Sequence, residues 1–274
     1  MGMNPTVGLQ RERAEAQFER KLSVTGPVTI DVSTRAGVVR IRRGEDGSVT
    51  IRGVVRAHAS IFSWRHPEDQ VQHLASNPPI QQTGNTIQVG DVADRWLLRR
   101  VHLLVDITTP AETRVRALGD SADLRVEGIN GPVDCESDSG EIQITNIGSE
   151  VSASSDSGAI HIRDVEGSID TRTDSGEIEA LQIGGGIDAH TDSGSIRLSQ
   201  TVVRPVYAYS DSGSISVKLA KGGGYTIRAR TDHGRIETPE MTQTTSSGRE
   251  MGGVIRGGGS VVVVETDSGD IDIV

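Results

Sequence analysis

Seven times the chain writes [Ser/Thr]-Asp-[Ser/His]-Gly-x-Ile, with the acidic residue at Asp138, Asp156, Asp174, Asp192, Asp211, Asp232 and Asp267. The intervals are 18, 18, 18, 19, 21 and 35 residues, and a degenerate copy, Asp120-Ser121-Ala122-Asp123-Leu124, lies 18 residues before the first. Aligned on the Asp, position −5 holds Val133, Val151, Ile169, Ile187, Val206, Ile227 and Val262, and position −3 holds Cys135, Ala153, Thr171, Ala189, Ala208, Ala229 and Val264. Position −1 is always Ser or Thr, position +4 is always Ile, and position +6 is Ile, Leu, Val, Ala or Thr. Alternation on both sides of one turn means two short strands per unit, each with one face buried. Gly148, Gly167 and Gly185 mark a second turn.

A unit of this length cannot bury itself, so successive units must stack and share a core. Like residues on like at every inward column favour a parallel arrangement over a row of antiparallel hairpins. The chain is therefore predicted to be all-β: a parallel β-solenoid, a single-stranded β-helix of right-handed coil, with rungs of about 18 residues. The inward positions do not recur every sixth residue, which excludes the hexapeptide left-handed type. The turn glycines Gly140, Gly158, Gly176, Gly194, Gly213, Gly234 and Gly269 are predicted to take positive φ, with the Asp accepting from backbone N–H groups two residues on. Stacking in chain order would leave Val261 to Val274 as an exposed terminal edge, a route to self-association.

The N-terminal part is less regular. Val28 to Ile41 and Ser48 to Ala57 alternate like strands, Ser33-Thr34-Arg35-Ala36-Gly37-Val38 is a worn copy of the turn, and Val101 to Ile107 is a further strand. Pro67 to Ser76 reads as one short helix, opened by Pro and stopped by Asn77-Pro78-Pro79. Phe62, Trp64, Leu74, Trp96 and Leu97 carry most of the bulky apolar surface here, so residues 22–118 form a strand-rich cap on the open end of the solenoid at 119–274, one continuous domain. Residues 1–21 read equally as a short helix, a linker or a disordered tail. Residues 239–260, rich in Gly, Ser and Thr, interrupt the last rungs as a loop or protruding hairpin.

Charge divides at the same boundary. Residues 1–119 hold 16 Lys and Arg against 12 Asp and Glu (net +4), and residues 120–274 hold 12 against 26 (net −14). An acidic repeat argues against nucleic acid, whose binding rests on phosphate neutralisation. One cysteine, Cys135, excludes an internal disulfide framework, and position −3 makes it a small buried packer. No apolar run is long enough for a membrane span and no secretory signal is seen, so a native start at Met1 would imply the cytoplasm.

The Thr/Ser-Asp-Ser-Gly-x-Ile units, preceded by Gly26-Pro27-Val28-Thr29-Ile30-Asp31-Val32 and by Asn77-Pro78-Pro79-Ile80-Gln81-Gln82, resemble the bacterial putative-adhesin family over residues 20–274. That is a domain-of-unknown-function family of β-solenoids with repeated Ser-Gly turns. The resemblance implies an envelope or extracellular protein without catalytic residues.

Stacked turns place Asp138, Asp156, Asp174 and Asp192 one above another, about 4.8 Å apart. They are weak calcium candidates, since calcium-binding β-rolls need Gly-Gly-x-Gly-x-Asp at every turn and the second turn here lacks it. No cofactor is called for. The outward columns at −4 and −2 bring Tyr207, Tyr209, Arg228 and Arg230 together if rungs stack in chain order, with His190 and Arg172 extending the cluster. Rings beside guanidinium groups suit a glycan or an anionic cell-wall polymer. A solvated sheet face decorated with Tyr and Arg is the plain alternative. Catalysis has little to stand on: no serine has a predicted His partner and no rung departs from the pattern, so a polysaccharide-cleaving enzyme is only a third reading. Gly222-Gly223-Gly224 and Gly257-Gly258-Gly259 lack the Lys-Ser/Thr or helix that phosphate loops require.

Overall fold

The computed structural model describes residues 13–58, 67–90, 101–239, 241–247 and 249–274. Strands β1 (Arg13–Ser23), β2 (Val28–Arg43) and β3 (Ser48–His58) precede helix α1 (Pro67–Ser76); β4 (Ile80–Thr83), β5 (Thr86–Val89) and β6 (Val101–Thr109) follow. β7 (Thr113–Glu127) runs unbroken through the degenerate turn. Each later rung then has two arms: β8 (Val133–Ser137) with β9 (Ile142–Ile147), β10 (Val151–Ser155) with β11 (Ile160–Val165), and β12 (Ile169–Thr173) with β13 (Ile178–Ile183). The series continues with β14 (Ile187–Thr191) and β15 (Ile196–Gln200), then β16 (Val206–Ser212) and β17 (Ile215–Lys218).

First arms pair with first arms and second with second, all parallel and 18 residues apart in register as far as β14 and the start of β15, so Val133, Val151, Ile169 and Ile187 stack, as do Ile142, Ile160, Ile178 and Ile196. The core lies between the arms. Its columns are the predicted ones at −5, −3, −1, +4 and +6, together with a sixth at +9: Ile129, Ile147, Val165 and Ile183 are all buried. Simple alternation would turn that column outward. Positive φ at Gly128, Asn146, Asp164 and Gln182 shifts the phase by one residue and returns the next side chain inward. Gly, Asn and Asp tolerate this conformation best, and Gln182 is the poorest fit of the four.

Left-handed backbone is thus a property of the second turn, which corrects the expectation for the Asp-Ser-Gly turn. Gly140, Gly158, Gly176, Gly194, Gly213, Gly234 and Gly269 are absent from the positive-φ set. Glycine is required there by closeness: a Cβ at Gly176 would collide with the Gly158 carbonyl oxygen, and one at Gly158 with that of Gly140. The turn is closed by the Ser or Thr at −1 in place of the Asp. Thr173 Oγ1 accepts from the Gly176 N–H (3.0 Å) and donates to the Gly158 carbonyl of the rung below (3.3 Å). Ser137 does the same with Gly140 (2.9 Å) and Ala122 (3.2 Å), so one buried hydroxyl satisfies two backbone groups that water cannot reach.

The C-terminal rungs do not stack in chain order. After β17 come β18 (Tyr225–His233) and β19 (Ile236–Glu237), a hairpin of β20 (Thr242–Ser246) and β21 (Glu250–Ile255), and finally β22 (Ser260–Ser268) and β23 (Ile271–Ile273). β22 lies between β16 and β18, parallel to both, and β23 lies between β17 and β19. The hydroxyl ladder follows the same order, with Thr266 donating to the Gly213 carbonyl and Thr231 to that of Gly269, each at 2.9 Å. The final strand is therefore interior, and the exposed edge expected at Val261 to Val274 does not exist. β21 pairs antiparallel with the far side of β18, so residues 256–259 must cross the chain just ahead of β18. The two glycine runs meet at that crossing. A Cβ at Gly224 would strike the Gly258 carbonyl, Ser260 N–H donates to the Gly224 carbonyl (3.1 Å), and Arg256 to Gly259 all have positive φ.

At the other end, β2 stacks on β7 as the first rung, with the Arg35 guanidinium 3.3 Å from the Asp120 carboxylate where the two worn turns meet. β5 covers the first arm of β2 and β6 the second; β6, β3 and β1 continue antiparallel. The stretch read as helix, linker or tail is thus strand from Arg13, burying Ala14, Ala16 and Phe18. Helix α1 spans the predicted residues, packs on β1 and β3, and buries Val71, Leu74 and Ala75. Of the apolar residues assigned to the cap, Leu74 is buried, whereas Phe62, Trp64, Trp96 and Leu97 lie outside the described residues. No described helix is long and apolar enough to cross a membrane.

Candidate functional site

The outward side of the first-arm ladder carries two parallel columns. In spatial order the −4 column runs Arg116, Asp134, Ser152, Asp170, Asp188, Tyr207, Val263 and Arg228. The −2 column runs Leu118, Glu136, Ser154, Arg172, His190, Tyr209, Glu265 and Arg230. Strand alternation holds these side chains outward because their neighbours at −5, −3 and −1 fill the core. Neighbouring rungs lie about 4.8 Å apart, so each column is a row of side chains in near contact.

Four of the six predicted residues remain contiguous. Tyr207 and Tyr209 share a rung, His190 stands on the next, and Arg172 one further. The His190 and Tyr209 rings lie 6.4 Å apart at 44°. Tyr207 is exposed and Tyr209 half-buried. The other two are displaced: β22 inserts Val263 beside Tyr207 and Glu265 beside Tyr209, putting Arg228 and Arg230 a rung further off. Those arginines are also engaged, Arg228 Nε with Glu250 Oε1 at 3.0 Å and Arg230 Nη2 with Asp232 Oδ1 at 3.2 Å. Val263 and Glu265, absent from the expected cluster, are its true neighbours. Only the 35-residue interval before Asp267 hinted that the last rung was irregular.

The electrostatics follow the carboxylates. The Tyr209 phenol is raised above the ordinary tyrosine value, by desolvation first and then by Glu265 and Asp188. The Asp188 carboxyl is also raised, by desolvation first and then by Asp170 on the adjacent rung. His190 Nε2 lies 3.3 Å from Asp192 Oδ1. Further along the same face a groove of about 420 Å³ is floored by small outward residues, Ser152 and Ser168, and edged by Arg114, Arg116, Glu150 and Asp170.

The second-arm face is organised differently. There the His161 imidazole lies between two carboxylates, Nε2 3.5 Å from Glu141 and Nδ1 3.5 Å from Glu179, with Arg125 and Arg197 outside them. Ion pairs this exposed contribute little to stability. The Asp turns stack rung on rung, with the Ser157, Ser175 and Ser193 N–H groups donating to the Asp138, Asp156 and Asp174 carbonyls, and among the described residues no group of three or more His, Cys, Asp or Glu is placed to hold a metal ion. Cys135 is fully buried, and burial pushes its thiol far above the usual range.

A family model described as Toastrack DUF4097 matches residues 105–274. A crystal structure of a putative adhesin from Bacteroides fragilis aligns with a TM-score of 0.50 at 14% identity, covering 94% of this chain and 97% of that one. A putative cell adhesion protein from Clostridium sporogenes aligns at 10% identity over 94% of this chain and 99% of the other, and a putative adhesin from Parabacteroides distasonis at 11% over 94% and 97%. Their TM-scores are 0.28 and 0.27. No curated protein matches the chain.

Proposed function

The chain belongs to the Toastrack DUF4097 family, and from that premise we propose that it is a non-catalytic, adhesin-like solenoid of the cell surface or envelope that binds a glycan or cell-wall polymer along its first-arm face. The observation that carries this reading is the tyrosine row. Tyr207 and Tyr209 stand side by side on a rigid rung, one exposed and one half-buried, with His190 against Tyr209. Rings presented on a strand lose little freedom on binding, and their faces stack on sugar C–H surfaces. The straight columns on either side repeat at about 4.8 Å, a spacing suited to a linear polymer lying along the solenoid. The Bacteroides fragilis structure of similar fold, described as a putative adhesin, agrees with a surface role.

The test is co-sedimentation of the protein with envelope and polysaccharide fractions, wild type beside a Tyr207→Ala/Tyr209→Ala variant. The wild type should pellet with at least one fraction and the variant should lose about tenfold in affinity, two stacking contacts' worth, with an unchanged melting curve. Equal pelleting of both would remove the tyrosine row from the site.

A further inference from the structure

We propose that the tyrosine row recognises a cationic group, an ammonium or quaternary ammonium carried by the polymer. This rests on the polymer-binding reading above and narrows it to a ligand class opposite to the one chain order suggests. Stacked as written, Tyr207 and Tyr209 would lie beside Arg228 and Arg230, a composition fit for anions. The inserted strand β22 replaces those neighbours with Val263 and Glu265, and the other flank holds Asp188 and His190. The displaced guanidinium groups are taken up by Glu250 and Asp232.

The turns beside the same three rungs add Asp192, Asp211 and Asp267. Each ring has one carboxylate on an adjacent rung, Asp188 beside Tyr207 and Glu265 beside Tyr209, while the guanidinium groups of Arg172, Arg228 and Arg230 stand a rung further out. An arriving cation finds the negative faces of two rings with carboxylates on the adjacent rungs, and half-buried Val263 offers apolar contact to the methyl or methylene groups that a substituted ammonium carries. The net charge of −14 over residues 120–274 favours the same sign of ligand at longer range.

The probe is tetramethylammonium chloride, titrated into the full chain carrying ¹³C-labelled tyrosine against a sodium chloride control of equal ionic strength. The chain has three tyrosines, and Tyr225, fully buried, is the internal reference. Saturable shifts of Tyr207 and Tyr209 with Tyr225 unmoved are expected. An Asp188→Asn/Glu265→Gln variant should bind about tenfold more weakly with an unchanged melting curve. A β-linked glucosamine oligomer should likewise bind about tenfold tighter than its N-acetylated counterpart of equal length. Absence of tetramethylammonium shifts, or equal affinity for the amine and acetylated oligomers, overturns the inference. If neutral polymers are retained and Tyr207→Ala abolishes retention, polymer binding stands and cation recognition falls. If tetramethylammonium binds while no polymer is retained, the reverse holds.

Discussion

Rungs between Val133 and Gln200 and rungs between Val206 and Ile273 are built from the same motif, yet the first group stacks in chain order and the second does not. The inward columns explain why both are possible. Ile on Ile at +4 and a small residue at −3 look the same from every rung, so any rung fits any neighbour. In the first group the short second turns, such as residues 148–150, reach only the adjacent level. In the second group longer connections free the order. β22, with Val261-Val262-Val263-Val264, lies between β16 and β18, and β18, with Arg228 and Arg230 outward, is covered on its far side by the hairpin strand β21.

The largest effect is expected in the regular region. Gly176→Ala forces a Cβ into the Gly158 carbonyl and should cost about 3 kcal/mol or more, while Ser175→Ala, at an exposed site in the same turn, should change stability by less than about 0.5 kcal/mol. Urea midpoints of the two variants measure this. Equal losses would break the close-approach account of the turn glycine. Gly224→Ala at the crossing should instead act locally, with amide exchange accelerated in β18 and β22 while β8 to β13 stay protected.

Strand order has its own test. In-register neighbours have Cα separations within disulfide reach, so Val263→Cys should cross-link with either Tyr207→Cys or Arg228→Cys. Tyr207→Cys with Arg228→Cys, about two strand spacings apart, should remain reduced. Peptide mass spectrometry after mild oxidation decides, and a 207–228 cross-link would restore chain order.

Smaller effects sharpen the picture of the regular rungs. Thr171 sits in a column otherwise filled mainly by Ala, and its buried hydroxyl has no hydrogen-bond partner among the described residues. Thr171→Val should therefore raise stability by about 1 kcal/mol, read from the urea midpoint. Gln182→Gly, at the least suited of the left-handed positions, should add about 0.5 kcal/mol, and a loss there would mean that the Gln side chain contributes a contact worth more than the backbone strain.

Much of the fold was legible because it is local. The Asp-Ser-Gly spacing, the size-matched columns, helix α1 and the burial of Cys135 all follow from alternation and turn residues within one unit. The turn mechanism was only half legible: the composition named Gly and Ser or Thr, but whether Gly answers to dihedral freedom or to proximity depends on the carbonyl of the next rung. The +9 column escaped because a single left-handed residue resets the alternation, and nothing in Gln182 announces it. The candidate site suffered most, since its predicted arginines were right in column and wrong in rung.

Repetition along the chain therefore settles the cross-section of this protein: which side chains face inward, where each turn falls and why each column is uniform, since these depend on contacts that every rung makes alike. It does not settle which rung lies beside which. Like columns make all neighbours nearly equal in energy, so the order at the C-terminal end rests on the longer connections there and on the close crossing of two glycine runs. That choice, visible only in three dimensions, sets Glu265 beside Tyr209 and with it the charge of the face.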